Sequence, residues 1–214
     1  DFRERIQVQG DMISKEDTMR LGNRLLSMDF GVYPTMFDYC LAMALLYFKE
    51  QKCDVVILET GLGGTYDSTN ACGVPDLGDT LAKIAAEKAG IIKHGTALVL
   101  ESQEKEAMDV LNKAAERADI KTIKVVNLDE IRILPQKDGK QCFSYAGYDA
   151  VTMKMLGVHQ YENAVAAMLA AELFFEKYFA GKKNVPELKA LQHAIREGID
   201  RTQWMGRMEL VSND

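Results

Sequence analysis

The densest chemistry in the chain is the run Glu59-Thr60-Gly61-Leu62-Gly63-Gly64-Thr65-Tyr66-Asp67-Ser68-Thr69-Asn70. It follows directly on an apolar, β-branched stretch, Asp54 to Leu58. As a strand, that stretch would place Glu59 at its carboxyl end, the edge at which open α/β sheets bind ligands. The glycines allow the backbone to turn tightly and to approach a ligand. A carboxylate there can hold a hard cation such as Mg²⁺, which takes oxygen ligands and keeps several waters. The plain alternative is a strand-to-helix turn with a solvated glutamate. Gly61-x-Gly63 is not a dinucleotide fingerprint, because no third glycine follows three residues later.

Lys88 is the second feature. Helical spacing places it on one face with Leu81, Ile84 and Ala85, all apolar. Two readings stand open. The stem can cover apolar surface while the ammonium reaches water. Alternatively, burial lowers the amine's pKa and makes it available for covalent chemistry. The histidines (His94, His159, His193) form no HxH or HExxH cluster, and the cysteines (Cys40, Cys53, Cys72, Cys142) have no CxxC spacing. Histidine or zinc chemistry and redox pairing are therefore not expected, and reduced thiols are. The Walker pattern G-x-x-x-x-G-K-[ST] is absent, and Gly181-Lys182-Lys183 does not satisfy it.

Around these residues the sequence predicts an α/β fold: mostly parallel sheet with flanking helices, plus a small antiparallel meander. Ser14 and Thr35 can cap helices running to about Met28 and from Met36 to Glu50. The second of these is apolar on nearly all sides and should be buried. Asp54 to Leu58 reads as a buried parallel strand. Asp79 or Thr80 caps a helix through Ile91, Ser102 one that runs to Ala118, and strands are expected at Thr96 to Leu100 and Thr122 to Val126. Alternation from Asn127 to Met155, with Asp138-Gly139 as a turn, predicts the meander. Helices follow at Tyr161 to Tyr178 and from Pro186 to about Ile199.

The chain has 214 residues, 47% hydrophobic and 27% charged, with a net charge of −6. That composition excludes a disordered tail, a fibre or a disulfide scaffold. The acidic balance argues against a general nucleic-acid binder. No apolar run approaches the ~18 residues of a membrane helix, and no signal peptide opens the chain. A cytoplasmic protein that binds neither nucleic acid nor membrane is expected. The chain begins within a strand-like stretch without Met and stops just after another, as an excerpt of a longer protein would.

Taken in order, the segments resemble the folylpolyglutamate synthases, including the bifunctional dihydrofolate synthase form, in the Mur ligase family. The matching strings are Asp1-Phe2-Arg3-Glu4-Arg5-Ile6, Thr35-Met36-Phe37-Asp38, Leu58 to Gly64 with Asp67-Ser68-Thr69-Asn70, and Leu77-Gly78-Asp79-Thr80. Further strings are Glu87-Lys88-Ala89-Gly90-Ile91-Ile92-Lys93, Gly157-x-His159-Gln160-x-x-Asn163-Ala164 and Trp204-Met205-Gly206-Arg207-Met208-Glu209. Three departures stand out. The family's phosphate loop is absent. So is its C-terminal domain. Only Ala71 to Asp76 lies where the family has a further strand and an Asp-His pair. A deletion or an unresolved loop accounts for the last, and the loop is favoured because losing a central strand would be ruinous.

The resemblance implies a P-loop NTPase-like central domain over residues 1–206, incomplete because the phosphate loop is absent. Residues 207–214 would begin the hinge to an absent glutamate-ligase domain. It implies an ATP-dependent ligase adding L-glutamate to a folate, and possibly to dihydropteroate, through an acyl phosphate, with ATP and Mg²⁺ as cofactors and a monomeric parent. Glu59 would bind Mg²⁺, and Lys88, carbamylated, would bind a second. Thr35, Met36, Phe37 and Asp38, with Tyr66, Asp67 and Ser68, would line the pterin pocket. Asn163 would contact ATP at the adenine and Arg207 at the phosphates. Carbamylation would also explain a lysine on an apolar face. The competing readings are a Mur-type amino-acid ligase of peptidoglycan or cyanophycin kind, which the Glu-Thr-Gly-Leu-Gly-Gly string argues against, and a non-catalytic folate-binding remnant.

Overall fold

The computed structural model describes residues 1–61, 63–65, 67, 79–95 and 97–204. The chain forms two compact units, Asp1–Ile91 and Ile92–Asp214. That division falls inside the stretch read from sequence as one domain. The expected hinge, 207–214, lies outside the described residues.

In the first unit a 3-10 turn at Phe2–Arg5 leads into a short antiparallel hairpin of β1 (Gln7–Val8) and β2 (Asp11–Met12), with Gln7 opposite Met12. Helices α1 (Lys15–Leu26), α2 (Met36–Glu50) and α3 (Leu81–Ala89) follow. Each begins where a hydroxyl can accept the free N–H of its first turn. Ser14 accepts from Asp17 N, Thr35 from Asp38 N and Thr80 from Lys83 N. At α2 the cap is reciprocal, since the Asp38 carboxylate accepts from the Thr35 backbone N–H at 2.7 Å. The core joins Ile6 and Ile13 to Leu21 and Leu25 of α1 and to Cys40, Met43, Ala44 and Tyr47 of α2.

The second unit alternates. β3 (Ala97–Leu100) pairs in parallel with β4 (Thr122–Val125) across α4 (Lys105–Arg117). A three-stranded antiparallel sheet follows: β5 (Arg132–Lys137), β6 (Lys140–Tyr145) and β7 (Tyr148–Met153). Its first turn is Asp138-Gly139, both at positive φ. Helices α5 (His159–Phe179) and α6 (Leu188–Arg201) complete it. Phe143, Val151 and Met153 of the sheet interlock with Tyr161, Val165 and Met168 of α5 and Ile195 of α6. α5 also packs on β3, and α6 on β7.

Three expectations are corrected. Residues Asp54 to Leu58 belong to no sheet among the described residues, and their side chains are exposed, Ile57 by 89%. A parallel strand buried on both faces needs a neighbour on each side, and none of the described strands pairs with this stretch. Burial of α2 is one-sided: Leu45 and Met36 are exposed, because among the elements of its unit α1 covers one face. Helix α4 starts at Lys105 after Glu104 with no side-chain cap, not at Ser102. The fold class is α/β, with one parallel pairing and three antiparallel pairings among the described residues. No helix among them is long and apolar enough to cross a membrane.

Candidate functional site

The glycine run is held at both ends. At its start, Gly61 N–H donates to Asp67 Oδ2 at 2.8 Å. That carboxylate is only 6% exposed. A Cβ on Gly61 would lie 3.2 Å from the same oxygen and 3.3 Å from Cζ of Phe37. The structure therefore gathers Phe37, Gly61 and Asp67, which the sequence could only place in two separate strings. Asp67 closes the loop upon itself, and the Phe37 ring lies over the bare backbone of Gly61.

Farther along, the loop seats on the C-terminal end of α3. Helix ends leave carbonyl groups without intrahelical partners. Here the Glu87 carbonyl accepts from Gly90 N–H at 3.1 Å and also from Thr65, whose N–H donates to it at 2.9 Å and whose hydroxyl donates at 3.2 Å. The approach is close enough to require glycine. A Cβ on Gly64 would sit 2.4 Å from the Glu87 carbonyl oxygen and 2.7 Å from that of Lys88. Gly63 adopts φ 71°, a conformation that glycine takes freely. Glu87 and Lys88 are thereby fixed beside the loop by backbone contacts.

Glu59 and Lys88 are both exposed. For Lys88 this corrects the expectation of a poorly solvated amine. Of its three apolar neighbours on the helical face only Ala85 is buried, while Leu81 is half exposed. In this unit the stem-covering reading therefore describes the lysine's surroundings. The orphan at this junction is instead Glu87, whose Oε2 is sealed from solvent with no hydrogen-bond partner among the described residues. Thr35 and Asp38 spend their side chains on the α2 cap, whereas Met36, 74% exposed, is open to a ligand. Tyr66 and Ser68 lie outside the described residues.

Among the described residues no three His, Cys, Asp or Glu side chains cluster as a metal cage. Mg²⁺ does not require one. It is commonly held by one or two carboxylates together with substrate phosphates and water. An exposed carboxylate beside a glycine loop fits that demand, and the donor set present is all oxygen.

In the second unit, the carboxyl ends of the parallel pair and the first turn of α5 come together. Glu101, just past β3, has its carboxyl pKa pushed up, first by burial and then by the nearby Glu162 carboxylate, with His159 opposing. Buried Gln141 on β6 donates to the carbonyls of Met155 at 2.7 Å and Gly157 at 3.2 Å, tying down the loop that enters α5. On the next turn Asn163 donates to Oε1 of buried Gln160 at 3.0 Å. Arg207 lies outside the described residues. Sequence reasoning assigned no role to Gln141, Gln160 or Glu87. Gln160 alone left a trace, standing three residues before Asn163 on one helical face.

No family model matches the chain. Over 239 residues it is 34% identical to the dihydrofolate synthase/folylpolyglutamate synthase of Bacillus subtilis, an alignment covering 98% of the chain and 53% of that protein. The folylpolyglutamate synthase of Thermotoga maritima superposes with a TM-score of 0.78 at 31% identity, covering 100% of this chain and 52% of that one. A Mycobacterium tuberculosis folylpolyglutamate synthase complexed with ADP and AMPPCP gives a TM-score of 0.74 at 28% identity, covering 97% and 51%. The chain spans about half the length of the Bacillus subtilis relative. Over nearly all of its own length, then, it is a homologue of the folylpolyglutamate/dihydrofolate synthases.

Proposed function

We propose that this chain is the ATP- and folate-binding part of a ligase that joins L-glutamate to the γ-carboxyl of a folate, or to the carboxyl of dihydropteroate. Residues 1–206 would be an incomplete P-loop NTPase-like domain of the α/β class, and 207–214 the approach to a glutamate-ligase domain. The observation that carries the reading is the glycine loop locked onto α3, which holds Lys88 beside the run that Glu59 begins. The same residues stand in the strings shared with the synthases.

In the reaction the substrate carboxylate attacks the γ-phosphorus of ATP, forming an acyl phosphate and releasing ADP. The amine of L-glutamate then attacks the acyl carbon, forming the amide and expelling phosphate. Both steps bring anions together, so positioning and charge cancellation dominate catalysis. Bound Mg²⁺ supplies the cancelling charge. Glu59, exposed at the head of the loop, would hold one such ion. Lys88 would add CO₂ at its neutral amine, losing a proton and becoming a carbamate anion able to hold another. Phe37 and Met36 would face the pterin. Thr35 and Asp38 hold the α2 start in place, Asp67 keeps the loop closed, and Tyr66 and Ser68 would line the same pocket. Asn163 would contact the adenine and Arg207 the phosphates. A protein that binds neither nucleic acid nor membrane accords with the acidic net charge of −6, and a cytoplasmic monomeric parent belongs to the same proposal.

The test uses the intact gene product with ATP, Mg²⁺, L-glutamate and either a reduced folate or dihydropteroate. Phosphate release dependent on all substrates, together with a product heavier by one glutamyl residue, is expected. Nucleotide or folate binding without product would favour the non-catalytic remnant. Turnover of another amino acid on a nucleotide-sugar acceptor would favour the Mur-type reading.

A further inference from the structure

Gln160 is one of the few polar side chains buried in the second unit, 7% exposed. Both ends of its amide are engaged. Nε2 lies 3.1 Å from Nε2 of His159, and Oε1 accepts from Nδ2 of Asn163 at 3.0 Å. An amide nitrogen only donates, so the His159 nitrogen facing it must accept, which leaves the imidazole proton on Nδ1. An amide oxygen only accepts, so Asn163 turns its NH₂ toward Gln160. The chain from His159 through Gln160 to Asn163 thus has one polarity. Asn163 is exposed, and its Oδ1 has no hydrogen-bond partner among the described residues.

We infer that Gln160 is a positioning residue that fixes the Asn163 amide with its oxygen free, so that the nucleotide site favours a base edge that donates. The exocyclic amine of adenine donates, whereas the carbonyl at the same place on guanine accepts. A freely rotating asparagine could present either end and would serve both bases. Locking it from behind converts a contact into discrimination, because the wrong base leaves polar groups facing without a hydrogen bond. The charged group that bears on His159, and through it on the polarity, is Glu101 at the end of β3, itself beside Glu162 of α5. The inference rests on the reading of Asn163 as an adenine contact.

The test measures kcat/KM for ATP and for GTP, and the folate KM, in the intact gene product. Gln160→Met keeps the shape and removes both hydrogen bonds. It is expected to lower the ATP-over-GTP ratio roughly tenfold, through the ATP KM and with the folate KM unchanged. Gln160→Glu still offers Asn163 an acceptor and is expected to hold the ratio near the parent value. Should Gln160→Met fail to fold, Gln160→Asn, too short to reach both neighbours, reads the same ratio. An unchanged ratio in Gln160→Met while Asn163→Ala shifts it overturns this inference alone. No shift in Asn163→Ala overturns it together with the assignment of Asn163 to the nucleotide. Equal loss on ATP, GTP and folate assigns Gln160 a purely structural role and overturns the inference.

Discussion

Gly90 lies against Thr65 so closely that a Cβ on it would fall 2.3 Å from Thr65 Cα. The contact is mutual with that of Gly64 on the Glu87 and Lys88 carbonyls, so two glycines from separate segments let the loop and the end of α3 share one backbone interface. Loop position and lysine position are therefore not independent. Gly90→Ala is expected to separate them at a cost of about 1–3 kcal/mol. Denaturant unfolding of the intact protein reads the stability, and ligase turnover should fall with it. An alanine variant with parental stability and turnover would mean that the junction does not hold the site.

Glu59→Gln removes a charge at an exposed position and should leave the unfolding midpoint in place. Turnover is expected to fall on the order of 100-fold or more, the scale of losing one charge-stabilising group in an active site. The loss should be greatest at low Mg²⁺. Parental turnover in that variant at low Mg²⁺ would remove Glu59 from the metal site.

Lys88→Ala at an exposed helical position is expected to change stability by no more than about 0.5 kcal/mol, yet to abolish activity. Added short carboxylic acids should restore part of it by standing in for a carbamate. The exposure of Lys88 in its own unit makes the experiment clean, because a fall in activity cannot be blamed on the core. Full activity of Lys88→Ala would end the carbamate reading.

Asp200 is a local test of pH dependence. Its carboxylate accepts from Lys140 Nζ at 2.7 Å and from the Thr152 hydroxyl at 2.5 Å. Those bonds, the lysine's first, hold its pKa below the ordinary 3.8. A carboxyl that binds its proton less readily in the folded state stabilises the fold at neutral pH. That contribution disappears as acid carries the pH from the unfolded value down through the folded one. The pair is partly exposed, so its worth is at most about 1 kcal/mol. Asp200→Asn should lower stability at pH 7 by that amount and make the decline below pH 4 shallower. Parallel stability–pH curves for the two proteins would show that the bond network is energetically silent.

Much of the local architecture was legible in the residues themselves. Thr35 with Asp38, and Ser14 and Thr80, announce helix starts because a hydroxyl beside a free N–H is a short-range interaction that needs no partner elsewhere. Asp138-Gly139 announces its turn because positive φ at two successive positions is a property of those residues. The strings around Glu59, Lys88 and Asn163 were readable because residue types at given spacing stand in order along the chain, whatever the fold does with them. What the tertiary structure decided is which separate strings meet and what is buried. Val55, Val56, Ile57 and Leu58 carry every intrinsic mark of a core strand, yet burial depends on neighbours, and among the described residues no strand pairs with them. Lys88 shares a face with apolar residues, yet it is exposed. Phe37 against Gly61 and Thr65 upon Glu87 could not be read from spacing, and spacing places Gln160 near Asn163 without deciding that its amide is buried and engaged at both ends. Each depends on backbone and side-chain positions set within tenths of an ångström by packing, a precision no residue type carries by itself.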